Sequence, residues 1–189
     1  PLSGVEITKR LTGNTVIDAL HLVLDRLRAD GDTYAGLERD LPYPTAGRRL
    51  VLVTGAPRGL GFAMAEALSD AGAHVVLNGR DPATLDAKAE ALRAKGSTAS
   101  ISTFDVTDEA GTMTALDAIE AEHGPLWGVI ANAGIQHRSP IEEFETADFE
   151  RVVATNLTSC FVLAREAAKR MGPRGGGRII NTVSMLGTT

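Results

Sequence analysis

Thr54-Gly55-Ala56-Pro57-Arg58-Gly59-Leu60-Gly61 follows directly on the apolar run Leu50-Val51-Leu52-Val53 and opens a segment of helical periodicity. Three glycines therefore stand where a strand turns into a helix. Glycine lets backbone come close to a pyrophosphate, and the unpaired N–H groups and dipole at a helix start favour an anion there. A glycine triplet alone says little, but strand, glycine turn and helix in one unit is the pattern of a dinucleotide-binding loop. The competing reading is a tight strand-to-helix turn that holds no ligand. The rest of the chain supplies the parts that a dinucleotide would need.

From position 50 onward, short β-branched runs alternate with alanine-rich helical stretches, the pattern of a parallel sheet covered by helices. Strands are expected over 50–54, 74–78, 99–104, 126–131 and 178–184. Right-handed crossovers and a reversal beside the glycine-loop strand predict an α/β fold, a doubly wound, Rossmann-like parallel sheet of order 3-2-1-4-5. Leu60, Met64 and Leu68 recur at four-residue spacing on the first helix, which stops at Gly72. Asp81 as N-cap and Pro82 at the first helical position start the next, which ends near Gly96. A third helix is expected over 108–123, broken by Gly124-Pro125 and weakened by Gly111 by about 1 kcal/mol relative to alanine. A fourth, over 147–171, puts Phe149, Val153, Asn156, Cys160, Leu163 and Ala167 on one stripe, with Cys160 as a small core residue.

Residues 1–49 read differently. Val16, Leu20, Val23, Leu24 and Leu27 share one face of an expected helix over 15–29, and a polar, proline-punctuated connection leads on to Gly47. The expected organisation is a helical appendage over 1–49 and a dinucleotide-binding domain over 50–189.

The chain has 189 residues and a formal net charge of -5, so it can bury a core and presents no basic field for nucleic acid or an anionic membrane surface. A small molecule is the expected partner. One cysteine excludes an intrachain disulfide, and His21, His74, His123 and His137 show no metal-ligand spacing. No apolar run is long enough to span a bilayer, and a reducing, cytoplasmic setting is expected.

Residues 50–184 resemble the N-terminal two-thirds of a short-chain dehydrogenase/reductase, on motifs in the family's order: the loop 54–61, Asp105-Val106 after the third strand, Asn132-Ala133-Gly134 after the fourth, Asn156 in the fourth helix, and Ser184 at the end of the fifth strand. Asn78-Gly79-Arg80 and the run from Asn132 to Arg138 are most similar to the wording of gluconate 5-dehydrogenases. The resemblance implies that Thr54, Gly55, Arg58, Gly59, Leu60, Gly61, Asn132, Ala133 and Gly134 bind the cofactor. It gives Asp105 to the adenine amino group, with backbone help from Val106. Ser184 would polarise a substrate carbonyl, and Asn156 would position a water that relays protons. It also implies a homo-oligomer in complete members.

The residues themselves leave two of these roles open. Asn156 could be a satisfied core amide, and Asp105 an ordinary solvated loop aspartate. At the end of the second strand, where the family carries an acid when it prefers NAD(H), the chain has Asn78, with Arg80 and Arg58 nearby. Two guanidiniums and no carboxylate favour NADP(H) over NAD(H). Asp81 competes with that reading unless capping occupies it.

The family's Tyr-x-x-x-Lys pair should follow Ser184, but the sequence given ends at Thr189, and its only tyrosines are Tyr34 and Tyr43. The expectation is a truncated oxidoreductase, without turnover as it stands, acting when complete on a hydroxyl or keto group of a polyol or sugar acid. At the front, residues 12–20 resemble a segment of non-hydrolysing UDP-N-acetylglucosamine 2-epimerases, in which a strand much like 50–55 follows. A chimera joined within 50–55 is therefore expected. An epimerase-related protein and a noncatalytic nucleotide-binding fragment are the two alternative functions.

Overall fold

The computed structural model describes residues 49–183. The chain divides into two units, Pro1–Leu41 and Pro42–Thr189, and the described residues lie in the second. The expected appendage helix, the epimerase-like segment and Ser184 fall outside the described residues.

Strand β1 (Leu50–Val53) is buried on both faces, which is why all four of its residues are apolar. It pairs in parallel with β2 (His74–Gly79) on one side and β4 (Leu126–Ala131) on the other. Strand β3 (Thr98–Thr103) lies beyond β2, and β5 (Arg178–Asn181) lies beyond β4. The order is β3-β2-β1-β4-β5 with every pair parallel, as the sequence predicts. After β3 the chain crosses back to the far side of β1. That reversal opens a crevice at the carboxyl ends of β1 and β4, where open parallel sheets take their ligands.

Helices α1 (Gly59–Asp70), α2 (Pro82–Arg93) and α3 (Glu109–His123) connect the first four strands, and α4 (Thr146–Val153), a π turn (Ala154–Thr158) and α5 (Ser159–Met171) precede β5. The expected starts hold. The Asp81 carboxylate accepts from the Thr84 N–H at 3.2 Å, with Pro82 in the first turn, and Asp108 accepts from the Gly111 N–H at 3.0 Å. Gly111 has a local reason: a β-carbon there would lie 2.5 Å from Asp108 Oδ2. One core cluster joins Leu50, Leu52 and Val76 of the sheet to Leu116 and Ile119 of α3 and to Leu163, Ala167 and Met171 of α5. The β1–β4 register slips by one residue beside Trp127, which brings Leu126 into the same cluster as Val129 and Ala131.

Three expectations are corrected. Leu60 is 39% exposed, and Met64, buried as expected, shares the buried face of α1 with Gly61, Ala65 and Ser69, because the helix turns its glycine toward the loop after β1. The single stripe across 147–171 breaks: Phe149 is 58% exposed and Asn156 is also exposed, since the π turn adds a residue and rotates everything before it out of phase with α5. Cys160, past the turn, packs against the core as expected. Strand β5 ends at Asn181 rather than reaching 184, and its residues are exposed. Among the described residues no helix is long and apolar enough to cross a membrane.

Candidate functional site

The loops that leave β1 and β4 are locked together by one hydroxyl. Thr54 is 2% exposed, and its Oγ1 donates to the Ile130 carbonyl at 3.2 Å while accepting the N–H groups of Asn132 at 3.0 Å and Ala133 at 3.1 Å. The Asn132 amide returns the contact, donating to the carbonyls of Thr54 at 3.0 Å and Gly55 at 3.3 Å. These bonds fill the polar groups of two loops that could not otherwise turn side by side in a buried position.

Against this clasp the glycines have separate duties. Gly61 is pressed into it, whereas Gly59 has a left-handed φ of +55° with open space where a side chain would stand. Arg58, at the N-cap of α1, makes no side-chain capping bond. An uncapped helix start with free room at its first residue is a place where an anionic group can come against backbone N–H donors. Such a start can receive a dinucleotide's pyrophosphate, with Arg58, Gly59 and Leu60 exposed at it and Gly61 buried against the clasp. Thr54, Gly55, Asn132 and Ala133 shape the cradle from behind.

At the end of β2 the structure corrects one assignment. Asn78 is 1% exposed, and its amide donates to the carbonyls of Ser102 and Phe104, both at 3.1 Å, so its side chain holds the end of β3 rather than facing a ribose. Arg80 and Arg58 are exposed. Asp81 is engaged by Thr84, and the two Thr84 bonds, side chain first, hold its carboxyl below the usual carboxylate range. The competing acid is thus occupied by its cap. Asp105 sits in its own turn, where Oδ1 accepts from the N–H of Thr107 at 2.9 Å and its hydroxyl at 2.7 Å. Those bonds, led by the backbone N–H, hold its carboxyl low, with a further contribution from the Arg80 charge. The loop-aspartate reading explains Oδ1. Val106 follows it, half-buried.

The Asn156 side chain is satisfied by backbone rather than within the core. Its Oδ1 accepts from the Ile135 N–H and its Nδ2 donates to the Ile135 carbonyl, both at 2.8 Å, so the amide clamps the loop that begins with Asn132-Ala133-Gly134. Gly134 lies under the same amide, where a β-carbon would be 3.4 Å from Oδ1. The amide is satisfied, but at the surface and by a loop. Farther along, His137 Nε2 stands 3.3 Å from Asp148 Oδ2 and its ring packs edge-on against Phe144, tying the loop to α4. The sequence contains no periodicity that pairs Asn156 with Ile135, since the partner is backbone.

The short chain dehydrogenase family model matches residues 49–189. Gluconate 5-dehydrogenase of Gluconobacter oxydans is 43% identical over 134 residues, covering 71% of this chain and 52% of that protein. 2-Dehydro-3-deoxy-D-gluconate 5-dehydrogenase of Formosa agariphila is 40% identical over 144 residues, covering 73% and 53%. Among solved structures, a gluconate 5-dehydrogenase from Burkholderia cenocepacia in complex with NADP and tartrate is 38% identical with a TM-score of 0.67, covering 71% of this chain and 52% of the other. The chain spans about half the length of the relatives it matches.

Proposed function

The chain belongs to the short-chain dehydrogenase family, and we propose that it supplies the cofactor-binding part of an oxidoreductase that moves hydride between NADP(H) and a hydroxyl or keto carbon of a polyol or sugar acid. The observation that carries the reading is the uncapped start of α1, open at Gly59 and braced from behind by the Thr54–Asn132 clasp. Arg58 and Arg80 are exposed and would supply the cations that a 2′-phosphate needs, and Asp81, the acid next to Arg80 in sequence, is spent on its cap. Both Thr107 bonds go to Oδ1 of Asp105, so Oδ2 would accept from an adenine amino group.

The nicotinamide cofactor would supply the hydride. The chain's own residues bind and orient: the glycine turn meets the pyrophosphate, Asn156 fixes the loop from Asn132 to Ile135, and Ser184 would polarise the substrate carbonyl. A group to carry the proton is expected from a Tyr-x-x-x-Lys pair, which the 189-residue sequence does not contain. The sugar-acid assignment draws on relatives named for gluconate chemistry. Fluorescence or calorimetric titration of the 189-residue protein with NADPH and NADH tests the proposal. Tighter binding of NADPH is expected, equal affinities would defeat the NADP(H) preference, and absence of any binding would defeat the site.

A further inference from the structure

The turn that carries Asn156 is held by an exchange of hydrogen-bond donors at Ser159. The backbone N–H of Ser159 bonds to the Ala154 carbonyl, five residues back, and so passes over the Thr155 carbonyl that it would take in an α-helix. The Ser159 hydroxyl bonds to that carbonyl instead. Ser159 is 6% exposed, so little water reaches the position to do the same. The pattern repeats on either side: Thr155 Oγ1 donates to the Arg151 carbonyl at 2.9 Å, and Cys160 Sγ to the Asn156 carbonyl at 3.3 Å. Side-chain bonds to carbonyls four residues back are a known way of bending a helix.

We infer that Ser159 is a positioning residue for the cofactor loop, holding the π turn that aims the Asn156 amide at Ile135. The geometry leaves a definite alternative state. If the Ser159 N–H returned to Thr155, one residue would leave the turn and α4 would rotate by about 100° relative to α5. Helix α5 cannot follow, because Val162, Leu163, Ala167 and Met171 are buried in the core. The rotation would therefore fall on the N-terminal side and take Asn156 away from the loop after β4. Removing the Ser159 hydroxyl favours that state, because the π turn then leaves a carbonyl without its donor.

The test is hydrogen exchange at the Ile135 amide, which donates to Asn156 Oδ1, followed by NMR in the 189-residue protein with the Val76 amide of the buried sheet as reference. Ser159→Ala should speed Ile135 exchange roughly tenfold with Val76 unchanged, and Ser159→Thr should keep it within about twofold of the parent. Ser159→Cys, nearly isosteric but a weak donor, should also speed exchange, and it serves if the alanine variant does not fold. In an Asn156→Ala background Ser159→Ala should add nothing, whereas a purely structural serine would act equally in both backgrounds. A parent-like Ile135 rate in Ser159→Ala or Ser159→Cys, or additive effects in the double variant, would overturn the inference. A second arm rests on the NADP(H) reading: the Kd for NADPH should rise roughly fivefold in Ser159→Ala. A parent protein that binds no NADPH refutes that reading alone, and the exchange rates still judge Ser159.

Discussion

Gly61 sits so close to Gly55 that a β-carbon on it would lie 2.3 Å from the Gly55 carbonyl oxygen, and 2.6 Å from Asn132 Nδ2. Both neighbours belong to the clasp, and backbone cannot step aside cheaply. Gly61→Ala should therefore lower stability by about 1–3 kcal/mol and weaken NADPH binding, because the overpacking displaces the Asn132 loop. Gly59→Ala meets no neighbour and should cost only the left-handed strain of roughly 1–2 kcal/mol. Urea unfolding of the two variants, read beside NADPH titration, separates packing from backbone conformation.

Thr54 gives a second contrast. Thr54→Val keeps the shape but leaves the N–H groups of Asn132 and Ala133 without their acceptor, at a cost of about 2–4 kcal/mol. Thr54→Ser keeps the oxygen and should stay within about 1 kcal/mol of the parent. A valine variant with an unchanged urea midpoint would mean that the clasp contributes nothing to stability.

Cofactor choice should respond to Arg80. Arg80→Asp removes a cation and adds like-charge repulsion toward a 2′-phosphate, so the order of affinities should reverse in favour of NADH. Paired titrations with the two reduced cofactors read this directly, and a variant that still prefers NADPH would move the 2′-phosphate contact elsewhere.

Glu166 predicts an acid limb. It is buried beneath Lys169, Arg165 and Arg170, and their bonds, Lys169 foremost, outweigh burial and bring its carboxyl down to about 2. A carboxyl depressed in the folded state contributes stability above its unfolded pKa of about 4.3 and loses that contribution as pH falls toward 2. Glu166→Gln should flatten the stability-versus-pH curve in that window and lower stability at neutral pH. Thermal melts across pH 2 to pH 7, taken on both proteins, measure the difference.

Turnover is the coarsest test. The 189-residue protein should bind NADPH without reducing 5-ketogluconate above background, and fusion to a family segment carrying Tyr-x-x-x-Lys should restore reduction. In that extended protein Ser184→Ala should lose about 10²- to 10⁴-fold of the rate. Rapid turnover by the short protein, insensitive to Ser184, would refute the assignment of roles.

What could be read in advance was what depends on local chemistry or on period. Asp81-Pro82 and Asp108 announce their helices through capping, and the apolar strands with their right-handed crossovers leave little freedom in strand order. Leu60 misled because four-residue spacing identifies a stripe without saying which stripe meets the sheet; here the tight approach of Gly61 to Gly55 decides it. Asn78 stands at the right place in the motif but satisfies the carbonyls of Ser102 and Phe104, a tertiary demand with no sequence period. The π turn was hidden for a similar reason, since serine is common in helices and only the skipped Thr155 carbonyl shows what Ser159 does.

The Thr54–Asn132 bonds join residues 78 apart along the chain. Between them lie β2, β3, β4 and three helices, each able to form contacts with much shorter loops, so the entropy of closing this span opposes it until most of the sheet exists. The clasp then belongs to the native side of the folding barrier. Substitutions in it should speed unfolding while leaving the folding rate nearly untouched, and a bound dinucleotide that bridges the same two loops should lengthen the lifetime of the folded state.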